Sequence, residues 1–255
     1  MANRPPPQEW RFNERDLARY EARHWRMPER LGLDGTFASL WRAPGTSRGG
    51  GTALSILPVL AIHTWPRAAS DRWTEWFSLG YRRLALLAGI NKDSVAAGLG
   101  LLRARGLLQQ RSVGRGDAGG AVTAFRLAAS LYASEGERYS QIYGGLPYGG
   151  FWRLMPRNSA RHLYLVLACL DAVKRDSAYG ARLLDSGPEE LADDNPVLRR
   201  RERNPVSISK LARASCISES SLHDALALLT MPVFDGNVAY VRTGPAKNPG
   251  TLWFS

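Results

Sequence analysis

The sequence predicts a mainly α-helical chain with small β-hairpin wings, arranged as two tandem winged helix-turn-helix domains produced by internal duplication. Three observations carry this expectation. Residues 84–95 (LALLAGINKDSV) align without gaps on residues 211–222 (LARASCISESSL), at an offset of 127 positions. Residues 53–61 (ALSILPVLA) align on residues 160–168 (ARHLYLVLA) at an offset of 107, with Ala, a large apolar residue and Val-Leu-Ala recurring in register. Each copy then ends in short β-prone runs around a flexible tip that carries basic residues.

The predicted organisation is a basic N-terminal extension (1–36), a first winged-helix domain (37–135) and a second (136–255). The two offsets differ by 20 residues, so the second copy carries extra chain between its first two helices, placed in a polar, Gly- and Pro-bearing insert at about 176–204. The insert ends near the basic run Arg199-Arg200-Arg201-Glu202-Arg203, read either as a solvated linker or as a phosphate-contacting strip. The extension is rich in Arg and Glu and opens on Pro5 to Pro7. It reads as a solvated or loosely docked arm with a short helix over 13–24, or alternatively as an arm that touches nucleic-acid backbone or a second subunit.

The triplet Gly49-Gly50-Gly51 leads into the first helix, 53–61, and no Lys-Ser/Thr follows it, so it is not a phosphate loop. Pro58 removes one helical hydrogen bond and should kink that helix unless the helix begins there. In the first helix-turn-helix, Asn91 is the N-cap and Val95, Leu99 and Leu102 form the buried stripe. Lys92, Asp93, Ser94, Ala97 and Gly98 are then expected to point outward, while Gly98 and Gly100 mark a close approach ascribed to internal packing. A wing follows, with strands over 107–113 and 121–127 and a tip over 114–120. The link 130–156 is expected to contain a strand at 151–154. In the second helix-turn-helix Ser218 is the cap and Leu222, Leu226 and Leu229 the buried stripe, leaving Glu219, Ser220, Ser221, His223 and Asp224 exposed. Its wing is expected over 232–235, 238–242 and 251–254, with Lys247 at the tip.

Charge indicates what such modules would meet. The net charge is +11 and the calculated pI near 10.2, which favours an anionic partner, with nucleic acid the commonest. Residues 51–130 hold 10 basic and 4 acidic groups, against 9 and 6 in residues 1–50 and 15 and 13 in residues 131–255. The first module thus carries most of the excess. Its expected double-stranded DNA contacts are Arg82, Arg83, Asn91, Lys92, Asp93, Ser94, Ala97, Arg103, Arg111 and Arg115, with sequence choice resting on Lys92, Asp93, Ser94 and Asn91. The second offers Lys210, Arg213, Ser220, Ser221, Arg242 and Lys247, but its two exposed carboxylates oppose phosphate. It is either a weaker reader or a module turned to protein contact such as homodimerisation.

Catalysis is not expected. His24, His63, His162 and His223 lie far apart, with no metal-ligand, triad, Walker or dinucleotide pattern, and His162 reads as a core histidine. Cys169 and Cys216 have no zinc-type spacing and read as buried thiols in a reducing cytoplasm. A polar Pro-rich start and the lack of an apolar run of about 18 residues predict no signal peptide, no membrane association and a cytoplasmic location.

The paired leading helices, helix-turn-helices and wings over about residues 37–255 resemble the tandem winged-helix replication initiators of plasmids. The resemblance is architectural. It implies an origin-binding protein without catalytic chemistry or cofactor, active with host replication proteins and able to share its second domain between DNA contact and dimerisation. In such initiators the C-terminal module often gives the main contacts, whereas here the basic excess favours the N-terminal one. A transcriptional repressor of a plasmid or mobile element is the alternative, and a winged-helix protein-interaction module the third reading.

Overall fold

A computed structural model of the chain describes residues 20, 23–33, 35–43, 49–68, 70–115, 121–148, 151–155, 157–174, 206–229 and 251–252. The elements open with β1 (His24–Pro28), α1 (Arg30–Leu33), α2 (Thr36–Trp41) and α3 (Gly49–Ala61). Next come β2 (Phe77–Ser78), α4 (Tyr81–Ala88), α5 (Lys92–Ala104), β3 (Leu108–Arg115) and β4 (Ala121–Leu127). The middle of the chain forms β5 (Tyr139–Tyr143), α6 (Gly145–Tyr148), α7 (Phe151–Leu154) and α8 (Asn158–Lys174). The last described elements are β6 (Val206–Ser207), α9 (Ile208–Ser215), α10 (Glu219–Leu229) and β7 (Thr251–Leu252). The chain is therefore a mixed structure of helices with small antiparallel sheets: β1 with β5, β2-β4-β3, and β6 with β7.

Helix α3 is the hub. Residues 50–61 are all buried, as befits a helix that is apolar on every side and enclosed by neighbours. It packs against α5, α8, α2 and α4. The glycine triplet is part of this helix and does not merely precede it, for a steric reason: a Cβ on Gly50 would run into the Leu40 carbonyl oxygen, and one on Gly51 would lie 2.7 Å from Asn158 Cβ. Gly51 and Asn158 occupy aligned positions at an offset of 107, so the two aligned segments touch at matching points. Pro58 lies inside α3, which continues to Ala61.

A second contact joins the two halves through a buried cation. Arg161 on α8 is 2 % exposed, and its guanidinium donates to the carbonyl oxygens of Trp152 (3.1 Å) and Gly89 (2.9 Å) and to Asn158 Oδ1 (3.0 Å). Burial lowers its pKa to about 10, and it remains charged near neutral pH. These bonds tie the end of α7 and the turn after α4 to α8. The hydrophobic core consequently runs unbroken from Trp25 to Leu229 across the predicted boundary at 135/136.

Several local expectations are corrected. Residues 24–33 are docked, not solvated: Trp25 and Met27 are fully buried, Trp25 Nε1 donates to Leu131 O at 2.7 Å, and Arg30 pairs with Glu137 at 2.6 Å. Alternation of buried and exposed side chains makes this segment a strand, so the expected helix over 13–24 does not reach His24; residues 13–19 lie outside the described residues. Residues 151–154 are a helix and not a strand, because a four-residue aromatic run has no period of its own and packing decides. Trp152 is buried there with Nε1 donating to Ser55 O at 2.8 Å. The strand in that link is β5, a few residues earlier. Cys216 is half-buried, not buried like Cys169. The insert at 176–204 and the wing segments 232–235 and 238–242 lie outside the described residues.

Candidate nucleic-acid interface

The first helix-turn-helix is built by local chemistry. Gly89 ends α4 in the left-handed region (φ 61°), with its own N–H bonded to Leu86 O and the Ile90 N–H to Ala85 O, a glycine-terminated cap. Two residues later Asn91 Oδ1 accepts the Asp93 N–H at 3.2 Å and starts α5, as the sequence predicted. The axes of α4 and α5 bend by 91° across this turn. Val95, Leu99 and Leu102 are the expected buried stripe.

With that stripe fixed, the opposite face carries Lys92, Asp93, Ala96, Ala97, Gly100 and Arg103, all exposed, with Ser94 half-buried. Gly98 is not on it. It sits at the edge of the buried stripe, where a Cβ would meet Ile56 Cδ1 at 2.8 Å and Thr52 Cγ2 at 2.9 Å on α3, whereas nothing lies within 4 Å of a Cβ on Gly100. The two glycines thus have opposite substitution signs. Gly98→Ala is expected to destabilise by about 1–3 kcal/mol through overpacking, and Gly100→Ala to stabilise by roughly 0.5–1 kcal/mol through helix propensity. Urea unfolding of the two variants side by side checks this; equal effects would refute it.

The flanking cations divide into two kinds. Arg103, on the exposed face of α5, and Arg82, on α4, are both exposed. Arg83 is half-buried, its guanidinium 5.8 Å from the Tyr148 ring centroid, and Arg105 bonds back to Ser39 O at 3.3 Å. The sheet β2-β4-β3 adds a feature that the sequence reading missed. Arg111 lies over Trp76 (4.3 Å to the centroid), and Arg126 lies over both Trp76 (4.7 Å) and Trp73 (5.3 Å) while bonding Gln109 Oε1 at 2.8 Å. Such seating spends no carboxylate and leaves guanidinium N–H edges for anions. The available signal was Trp-x-x-Trp just before a strand. Arg115 closes β3, and its side chain lies outside the described residues.

The second half repeats the order of short strand, helix, turn and helix. Cys216 (φ 57°) takes the left-handed position equivalent to Gly89, and Ser218 Oγ accepts the Ser221 N–H at 3.4 Å as the expected cap. Leu222, Leu226 and Leu229 are buried, and Glu219, Ser220, Ser221, His223 and Asp224 are exposed, as expected. The strand β7 returns to pair with β6, Val206 opposite Leu252, just as β4 returns to β2. No family model, curated protein or solved structure matches the chain.

Electrostatics separate the two helices. Asp224 is bridged by Arg157 at 2.5 Å, while Glu219 has no ion pair among the described residues. Arg213 is exposed; the Lys210 side chain, Arg242 and Lys247 lie outside the described residues. His162 belongs to the core, fully buried, with its ring stacked 4.9 Å from Trp41 and Nε2–H donating to Ser215 O at 2.6 Å. Among the described residues no three His, Cys, Asp or Glu side chains gather as a metal site, and no single helix is long and apolar enough to cross a membrane.

Proposed function

We propose that the chain is a double-stranded DNA-binding protein of tandem winged-helix type, with α5 as its principal recognition helix. The observation that carries this reading is the capped, exposed N-terminal turn of α5, bearing Lys92 and Asp93, with further exposed cations at Arg103 in its last turn, Arg82 on α4 and Arg111 on β3. Helix N-termini in this setting meet base edges, while the surrounding guanidinium groups meet phosphates. Beyond its first turn α5 presents Ala96, Ala97 and Gly100, a face with little to read bases but shallow enough for close approach. Direct readout then rests on very few side chains, and affinity on the cations.

Lys92→Ala combined with Arg111→Ala is expected to weaken duplex binding, and loss of the Arg111 phosphate contact to lower the salt slope by about 0.9. Gel-shift titrations across a salt series measure both effects. Affinity and slope equal to those of the parent protein would refute the assignment.

Replication initiation at repeated plasmid origin sites, with host replication proteins as partners, is the function we favour for this architecture; a plasmid or mobile-element repressor is the second reading. Footprinting separates them, since direct repeats beside an AT-rich stretch favour initiation and an inverted repeat over a promoter favours repression. The exposed carboxylates on α10 support a protein-contact role for the second module, such as homodimerisation.

A further inference from the structure

The loop after α3 and the start of β1 frame a cleft of about 500 Å³ that is distinct from both helix-turn-helices. Its floor is rigid: Ile62 and Tyr132 are buried there, and the Tyr132 hydroxyl donates to Ala61 O at 3.0 Å. Its walls carry Arg23, Arg26, Arg67 and Trp65, an indole left 51 % exposed. Arg23 lies over one region of that indole, 5.3 Å from the ring centroid, and also over Tyr20 at 5.1 Å. Arg26 stacks on Tyr139 at 4.2 Å. Arg67 is paired with Glu75, but neither Arg23 nor Arg26 has a carboxylate partner among the described residues. Glu135 is the single acid among the described residues that line it.

A half-exposed indole beside guanidinium groups seated on aromatic rings has a specific chemical complement. A planar base stacks on the ring, and its phosphate meets the guanidinium edges. The volume is within the range of about 300–1,000 Å³ usual for sites that hold small ligands. A base inside a duplex cannot present its face, so this chemistry differs from that of α5. We propose that the cleft binds an unpaired nucleotide, with its base on the exposed indole of Trp65 and its phosphate on Arg23 and Arg26. The nucleotide is either free or part of a single strand.

The test uses the full chain and two probes: fluorescein-labelled oligothymidylate followed by anisotropy, and dTMP followed by calorimetry. Inorganic phosphate and a blunt duplex serve as controls. Trp65→Ala is expected to weaken binding of the nucleotide probe by about tenfold, Trp65→Phe to restore most of it, and Arg26→Ala to weaken it with a flatter salt dependence. Duplex affinity stays at the parent value in all three variants, and Lys92→Ala leaves oligothymidylate binding unchanged, so this proposal and the duplex reading fail separately. Binding of oligothymidylate but not dTMP assigns the site to a strand, and the converse assigns it to a free nucleotide. The proposal is overturned if neither probe binds, if a folded Trp65→Ala protein binds like the parent, or if inorganic phosphate competes as well as dTMP does.

Discussion

Replacing Arg161 with Met is expected to lower the unfolding free energy by about 2 kcal/mol, because lost acceptor bonds outweigh recovered desolvation. Two carbonyl oxygens, Trp152 O and Gly89 O, lose this donor, and Asn158 Oδ1 is left with the Ser55 hydroxyl that it shares with Gly51 O. At about 1–3 kcal/mol for each stranded carbonyl and less for the amide, this amounts to roughly 5 kcal/mol. Against it stands the cost of keeping the guanidinium charged: the fall from 12.5 to about 10 corresponds to about 3 kcal/mol returned when the charge is removed. Arg161→Lys keeps the charge but not the planar fork, and is expected to recover less than half of the loss. Urea unfolding of the three proteins measures it, and a Met variant within 1 kcal/mol of the parent would contradict it. Gly89 closes α4 just before α5, so on the proposed reading of α5 duplex affinity should fall with stability.

His162 gives the second large effect, and its sign is fixed by burial. The ring donates through Nε2–H to Ser215 O, its Nδ1 has no hydrogen-bond partner among the described residues, and burial lowers its pKa to about 4, partly opposed by the Ser215 bond. The unfolded chain takes up this proton near pH 6.5, the folded one only near pH 4. Between those values the unfolded state binds more protons, so stability falls as pH drops from 6.5 to 4, by about 3 kcal/mol from this group. His162→Gln keeps a donor for Ser215 but cannot titrate. Unfolding midpoints measured at intervals through that window should therefore decline more steeply for the parent than for the variant. Parallel declines would show that His162 charges freely in the folded protein.

Much of the interface was legible because its determinants are local. The caps at Asn91 and Ser218 and the leucine stripes on α5 and α10 follow from residues within a few positions of each other, and both turns adopt the left-handed residue that the alignment pairs, Gly89 with Cys216. What escaped depends on distant partners. Gly98 falls inside because Thr52 and Ile56 meet it, a fact α5 alone does not contain. Phe151–Leu154 is helical because Ser55 and Arg161 receive and cap it. The Arg111 and Arg126 seats on Trp73 and Trp76 arise only when three strands assemble. The β1 signal, a period-two alternation of Trp25 and Met27, was present but hidden among charged neighbours.

The pairing of β1 with β5 sets the order in which the chain can mature. Trp25 faces Ile142, 117 positions later. At roughly 5–20 residues per second of synthesis, a growing chain holds that indole without its partner strand for about ten seconds. The hub helix α3 waits about as long, since α8 covers it from residue 158 onward. The first helix-turn-helix therefore emerges with α3, on which it packs, already made, while the far side of α3 and the Trp25 indole stay uncovered until the second half arrives.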